Sequence, residues 1–118
     1  MNIVSFHLTR LVRATGYSCE GLLATFKSEP AFALEVVVCL FLIPTALILT
    51  LPLFTKALLI SSLLLILIVE LINSAIEAVV DRISLDKHPL SKKAKDIGSA
   101  AVFVCIINAI VLWILALI

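Results

Sequence analysis

The chain has 118 residues, 63% of them hydrophobic and 14% charged, with a mean hydropathy of +1.25 and a formal net charge of +1. That balance excludes a soluble globular fold, argues against any nucleic-acid partner, and fits one integral membrane domain over residues 1–118. The charge is unevenly placed: Arg10, Arg13 and Lys27 precede the apolar runs, Arg82, Lys87, Lys92, Lys93 and Lys95 cluster later, and Lys56 alone lies elsewhere.

Residues 5–27 are expected to form an amphipathic helix lying on the membrane. Leu8, Leu11, Val12, Cys19, Leu22, Leu23 and Phe26 recur at helical spacing, while Arg10, Arg13, Tyr17 and Glu20 take other positions. Gly16 and Gly21 weaken such a helix and equally permit close approach of a ligand or a neighbouring helix. No cleaved leader is expected, since this stretch lacks a continuous apolar core. Ser28-Glu29-Pro30 then suits a helix start, with proline in a first turn where its missing donor is harmless.

The first span is expected over about 31–50, with Glu35 one turn in and a kink at Pro44, and Leu51-Pro52-Leu53 makes the outer turn. A second span over about 54–82 is longer than a bilayer needs, so its last turns project into headgroups or cytoplasm. Ile83 to Lys95 is polar, contains Pro89 and is expected to be a loop, and the third span covers about 96–118. Trp113 near its far end fits an interfacial anchor or a lipid contact. Basic residues mark the N-terminal segment and the 82–95 loop as cytoplasmic, which sends the C-terminus to the other side and requires three spans. Cys19, Cys39 and Cys105 are odd in number and far apart, and are expected to act as small hydrophobes.

Chemistry concentrates at the end of the second span. Glu70, Asn73, Glu77 and Asp81 are spaced three, four and four residues apart, which keeps them on one stripe of a helix. The run before them, Lys56 to Val69, is nearly continuous hydrocarbon, so the stripe emerges near one membrane surface. Ionisable groups in or beside a span are costly and are candidates for function. Glu29 ahead of the first span and Lys95-Asp96 opening the third reach the same depth. Carboxylates crowded into one layer need a cation; hard oxygen ligands suit Mg²⁺, and Mg²⁺ binds phosphates. Lys92, Lys93 and Lys95 could hold those phosphates, or could simply follow the topology rule. None of the usual nucleotide cradles is present.

Glu70-Leu71-Ile72-Asn73-Ser74-Ala75-Ile76-Glu77-Ala78-Val79-Val80-Asp81 closely resembles the signature of the prokaryotic diacylglycerol kinases. Arg10, Ala14-Thr15-Gly16-Tyr17-Ser18, Glu29-Pro30-Ala31-Phe32, Leu58-Leu59-Ile60-Ser61-Ser62 and Ala94-Lys95-Asp96-Ile97-Gly98-Ser99-Ala100-Ala101 are also similar to that family. The resemblance implies an all-helical, homotrimeric kinase of the bacterial inner membrane with active sites shared between subunits, moving the γ-phosphoryl of MgATP to diacylglycerol. It makes Glu70 the general base with Asn73 in support, and gives Mg²⁺ to Glu29 and Glu77. Nucleotide contacts are implied for Arg10, Tyr17, Glu29, Glu77, Asp86, Lys87, His88, Lys95 and Asp96. Lipid contacts are implied for Arg10, Ala14, Thr15, Gly16, Tyr17, Ser18, Cys19, Ala31, Phe32, Glu35, Glu70 and Ser99. Cys19, Ala33 and Pro89 depart from the family pattern.

Two other readings stand beside this one. Undecaprenol kinases resemble the same family in fold and motif, and the lipid tail is not legible in the chain. A small proton-coupled transporter would also need intramembrane acids, although such sites usually sit near the midplane and these lie towards one face.

Overall fold

The computed structural model describes residues 2–118, which form four helices: α1 (Ile3–Ser28), α2 (Pro30–Ile48), α3 (Leu53–Ile83) and α4 (Pro89–Leu117). No strand occurs among the described residues. The last three helices are long and apolar enough to cross a membrane. The 19 residues of α2 reach about 28 Å, close to the hydrocarbon thickness. The 31 residues of α3 reach about 46 Å, so about three turns of it must stand outside the apolar layer.

Each boundary has a local cause. Asn2 caps α1, its side-chain oxygen accepting from the Ser5 amide at 2.7 Å. Glu29 is the single residue between α1 and α2; it is extended because Pro30 follows it, and its carboxylate makes no capping bond. α2 thus starts at the expected punctuation, with proline in its first turn, while Ser28 ends α1 and does not cap α2. Pro44 lies inside α2 without ending it. At the outer turn, Lys56 Nζ donates to the Leu47 carbonyl at 2.7 Å, satisfying an acceptor that the last turn of α2 leaves unpaired.

One expectation is corrected. The stretch Ile83 to Lys95 is not a loop throughout, because α4 begins at Pro89. His88 explains the early start: its Nδ1 accepts from the Leu90 amide at 3.0 Å, and proline fits the first helical turn. Only Ser84 to His88 remains as the connection.

The spans pack about α3. It meets α2 on one side and, most extensively, α4 on the other, whereas α2 and α4 do not touch. The α4 side of this contact is a stripe of Gly98, Val102, Cys105 and Ala109, small or slender residues that let two helices approach closely. Phe32, Cys39 and Ala46 form the buried stripe of α2. Cys39 and Cys105 therefore pack as small apolar side chains, while Cys19 is exposed and does not. Against about 13–14 Å for a compact chain of this length, the radius of gyration is 17.9 Å, and the thinnest dimension is 22 Å. One chain is a thin slab with little interior.

The candidate active site

Glu70 is the most deeply placed acid. It is 6% exposed, on the face of α3 that also buries Leu59, Leu63 and Asn73. The carboxylates of Glu29, Glu35 and Glu77 are all near enough to act on it electrostatically. These three are half-buried, and Glu35 keeps one carboxylate oxygen buried without a hydrogen-bond partner. α3 supplies Glu70 and Glu77, α2 supplies Glu35, and the α1–α2 junction supplies Glu29. Like charges so gathered raise one another's energy unless protons or a cation reduce them.

Asn73 ties this group to α4. Its side-chain amide donates to Glu77 Oε1 at 3.4 Å, while its own oxygen is buried and unpartnered. That oxygen presses against Gly98 so closely that a Cβ there would overlap it. Glycine at 98 is what lets α4 come up to Asn73. Asn73 and Gly98 fall in two separate stretches that resemble the family, and a single sequence does not say that they touch.

A second group lies further along α3. Asp81, Asp86, Lys87, His88, Lys95 and Asp96 line a groove of about 670 Å³ between the end of α3 and the start of α4. Lys95 Nζ donates to Asp81 Oδ1 at 2.6 Å, and Lys92 pairs with Asp96 one turn away. All these side chains are at least partly exposed, so the pairs are solvent-screened, exchangeable and weak. Glu70, Asn73 and Glu77 do not line this groove. Along α3, Glu70 and Asp81 are separated by about 16 Å.

The α1 residues named in the sequence divide. A groove of about 630 Å³ between α1 and α3 is lined by Ser18, Gly21, Thr25, Glu29 and Ser74, among others. Arg10, Ala14, Thr15, Gly16, Tyr17 and Cys19 do not line it, and all are exposed. Arg10 lies over the Phe6 ring at 5.8 Å, and the Thr15 and Ser18 hydroxyls donate to their own helix at Leu11 and Ala14. Of the remaining residues, Phe32 is buried, whereas Ala31 and Ser99 are exposed. Thr25 and Ser74 were missed as site residues; no spacing rule marks a hydroxyl that faces a groove only after two helices have met.

Among the described residues, no group of three or more His, Cys, Asp or Glu side chains gathers closely enough to hold a metal ion by itself. What the first group offers is a buried carboxylate able to accept a proton, flanked by acids able to share a hard cation with phosphate oxygens.

A family model described as prokaryotic diacylglycerol kinase matches residues 16–117 of the chain. The chain belongs to this family. It is 54% identical over 106 residues to the diacylglycerol kinase of Pseudomonas aeruginosa, covering 90% of this chain and 86% of that protein. It is 50% identical over 109 residues to the diacylglycerol kinase of Escherichia coli K12, covering 92% and 89%. The enzyme of that name from Helicobacter pylori J99 is 40% identical over 104 residues, covering 88% and 81%. The match to the prokaryotic diacylglycerol kinases includes both residue groups of the site, from Glu29 to Ser99. Arg10, Ala14 and Thr15 precede the matched residues.

Proposed function

We propose that this chain is an ATP-dependent lipid kinase of the bacterial inner membrane, converting diacylglycerol to phosphatidic acid. The observation that carries the reading is Glu70, a carboxylate buried among three others where α3 nears the end of its apolar run. The lipid hydroxyl oxygen attacks the γ-phosphorus of ATP, the bond from that phosphorus to the bridging oxygen breaks, ADP leaves, and the hydroxyl proton passes to Glu70. Phosphoryl transfer asks the protein for positioning, charge neutralisation and a base.

Glu29 and Glu77 are the residues that would hold Mg²⁺. The Glu29 carboxylate is free of capping duty and Glu77 accepts only a long bond from Asn73, so both have oxygens to give. An ion that keeps its waters and takes phosphate oxygens needs no more than one or two protein carboxylates, and when bound it neutralises the transferring phosphates. Asn73 fixes the Glu77 carboxylate, and the basic rim formed by Lys87, Lys92 and Lys95 attracts nucleotide. By the positive-inside rule the same basic residues support a cytoplasmic position for this end of the molecule and an outer position for the C-terminus.

The working unit in this reading is a homotrimer with shared sites. In one chain the basic groove and the Glu70 group are separate, and a thin slab leaves most apolar side chains facing outward. A neighbouring subunit can bring its groove to Glu70. Mixing Glu70→Gln and Asp96→Asn proteins, each inactive alone, should restore about one quarter of the sites if the two residues come from different subunits. No recovery in demonstrably mixed oligomers would place both in one subunit.

The decisive experiment supplies purified protein in lipid with ATP and Mg²⁺ and offers diacylglycerol and undecaprenol side by side. Phosphatidic acid should form and should require ATP. Phosphorylation of undecaprenol alone would overturn the substrate, and proton-driven uptake without any phosphorylated lipid would overturn the kinase reading.

A further inference from the structure

Among the described residues four side-chain atoms are buried without a hydrogen-bond partner: Glu35 Oε2, Asn73 Oδ1, Ser74 Oγ and Trp113 Nε1. Asn73 stands apart because the other end of the same amide is engaged, its Nδ2 donating to Glu77 Oε1 at 3.4 Å. The Asn73 side chain also comes near enough to the Glu70 carboxylate to bear on it. One amide thus serves two acids, three residues before it and four after it on α3. An amide has a donor end and an acceptor end, and a carboxylate repels the acceptor. Turning the nitrogen to the acids therefore sends the oxygen the other way, against α4.

What meets the oxygen there is Gly98. A Cβ built on Gly98 would lie 3.8 Å from Asn73 Cβ, 3.2 Å from Asn73 Cγ, and closest of all to Oδ1. The approach tightens from stem to tip, so the α4 backbone bears on the orientation of the amide more than on the position of its stem. Only the hydrogens of a glycine Cα fit beside that oxygen, and they are weak donors to it. With Asn73 only 7% exposed, a displaced tip turns the amide and does not swing into open space. The donation to Glu77 is already long, and a few tenths of an ångström more would end it.

We propose that Gly98 is a positioning residue for the phosphoryl transfer: its bare Cα backs the Asn73 oxygen and so keeps the amide nitrogen turned to Glu70 and Glu77. The effect passes from α4 to α3 through a single side chain within one chain. Gly98 has no functional group of its own, and it acts by what it leaves out. The inference rests on the reading of Glu70 as the base and adds what holds the neighbouring amide in place.

Magnetic resonance and kinetics together test it. With isotope-labelled asparagine the side-chain amides of Asn2, Asn73 and Asn108 are observed, and the signal missing from Asn73→Ala identifies Asn73. Gly98→Ala should move that signal and speed the exchange of its protons with solvent by about tenfold or more. The same variant, assayed at saturating ATP, Mg²⁺ and diacylglycerol, should lose about 10- to 10²-fold in kcat while KM for ATP stays within about threefold of the parent. An unmoved Asn73 signal would overturn the hold of Gly98 on the amide. A moved signal with kcat within about twofold of the parent would overturn the positioning role. A parent protein that phosphorylates no lipid would overturn the kinase reading and with it the catalytic purpose of the contact, while the Asn73 signal reports the contact itself in either case. Should Gly98→Ala not fold, the double variant Asn73→Ala with Gly98→Ala decides: with the amide gone the two Cβ atoms stand 3.8 Å apart, an ordinary contact, and the protein should fold. Folding regained there supports the contact with Asn73. Folding lost in both would overturn it, because the added methyl group would be meeting something else.

Discussion

α1 and the α3–α4 pair are opposite solutions to the same composition. The pair is held by close approach: Gly98 against Asn73, a slender stripe on α4, and the Lys95–Asp81 bridge at its end. α1 buries no residue at all, and its apolar side chains Leu8, Leu11, Val12, Leu22 and Leu23 remain exposed. The pair is therefore shaped by protein packing, where one added methyl group matters. α1 touches α2 and α3 only lightly, and an amphipathic helix so little covered by protein finds its apolar environment in the membrane surface. A reactive acid belongs on the packed side because its geometry is fixed there, and Glu70 sits on it.

The largest effect that would test this contrast is chemical. Glu70→Gln preserves shape but cannot take the proton, so turnover should fall by about 10²-fold or more while nucleotide binding persists. Near-normal turnover would remove Glu70 from the role of base. Next is packing: Gly98→Ala drives a Cβ into the Asn73 side chain, which should cost about 1–3 kcal/mol. Leu11→Ala on exposed α1 should leave thermal stability in detergent within about 0.5 kcal/mol of the parent. Equal losses in the two variants would erase the distinction between packed and membrane-supported helices.

A smaller and more specific effect is expected at the acids flanking Glu70. Glu29→Gln and Glu77→Gln should each raise the Mg²⁺ concentration needed for half activity, read from a metal titration at saturating ATP. An unchanged titration with lost activity would make their part structural. The exposed bridge should matter little: Asp81→Asn should lower thermal stability only slightly, and by less still at high salt. A larger, salt-independent loss would show that the pair is more enclosed in the membrane assembly than in one chain.

Much of the site was legible as chemistry and little of it as geometry. The Glu70 to Asp81 stripe follows from spacing, because residues three and four apart must share a helix face. That Asn73 donates to Glu77 is one turn of the same helix and is nearly as local. Its contact with Gly98 is not local, since it depends on how far α4 slides along α3. Lys95 is expected at the depth of Glu70, yet it meets Asp81 about three turns further along α3, because α4 starts at Pro89 and turns Lys95 back towards that helix. Arg10 and Tyr17 show the converse: their composition suits a site, yet within one chain α1 holds them away from both residue groups.

The amino-acid sequence by itself determined the solvent, the number of long apolar helices and the acid stripe, because hydrocarbon content and helical periodicity are properties of neighbours along the chain. It also carried the family, through the motif from Glu70 to Asp81. Tertiary structure alone decided which small residue admits which polar one, which lysine meets which aspartate, and that α2 and α4 stay apart with α3 between them. Those choices depend on the distance and rotation between helices, which are fixed by side chains far apart in sequence meeting at the same height.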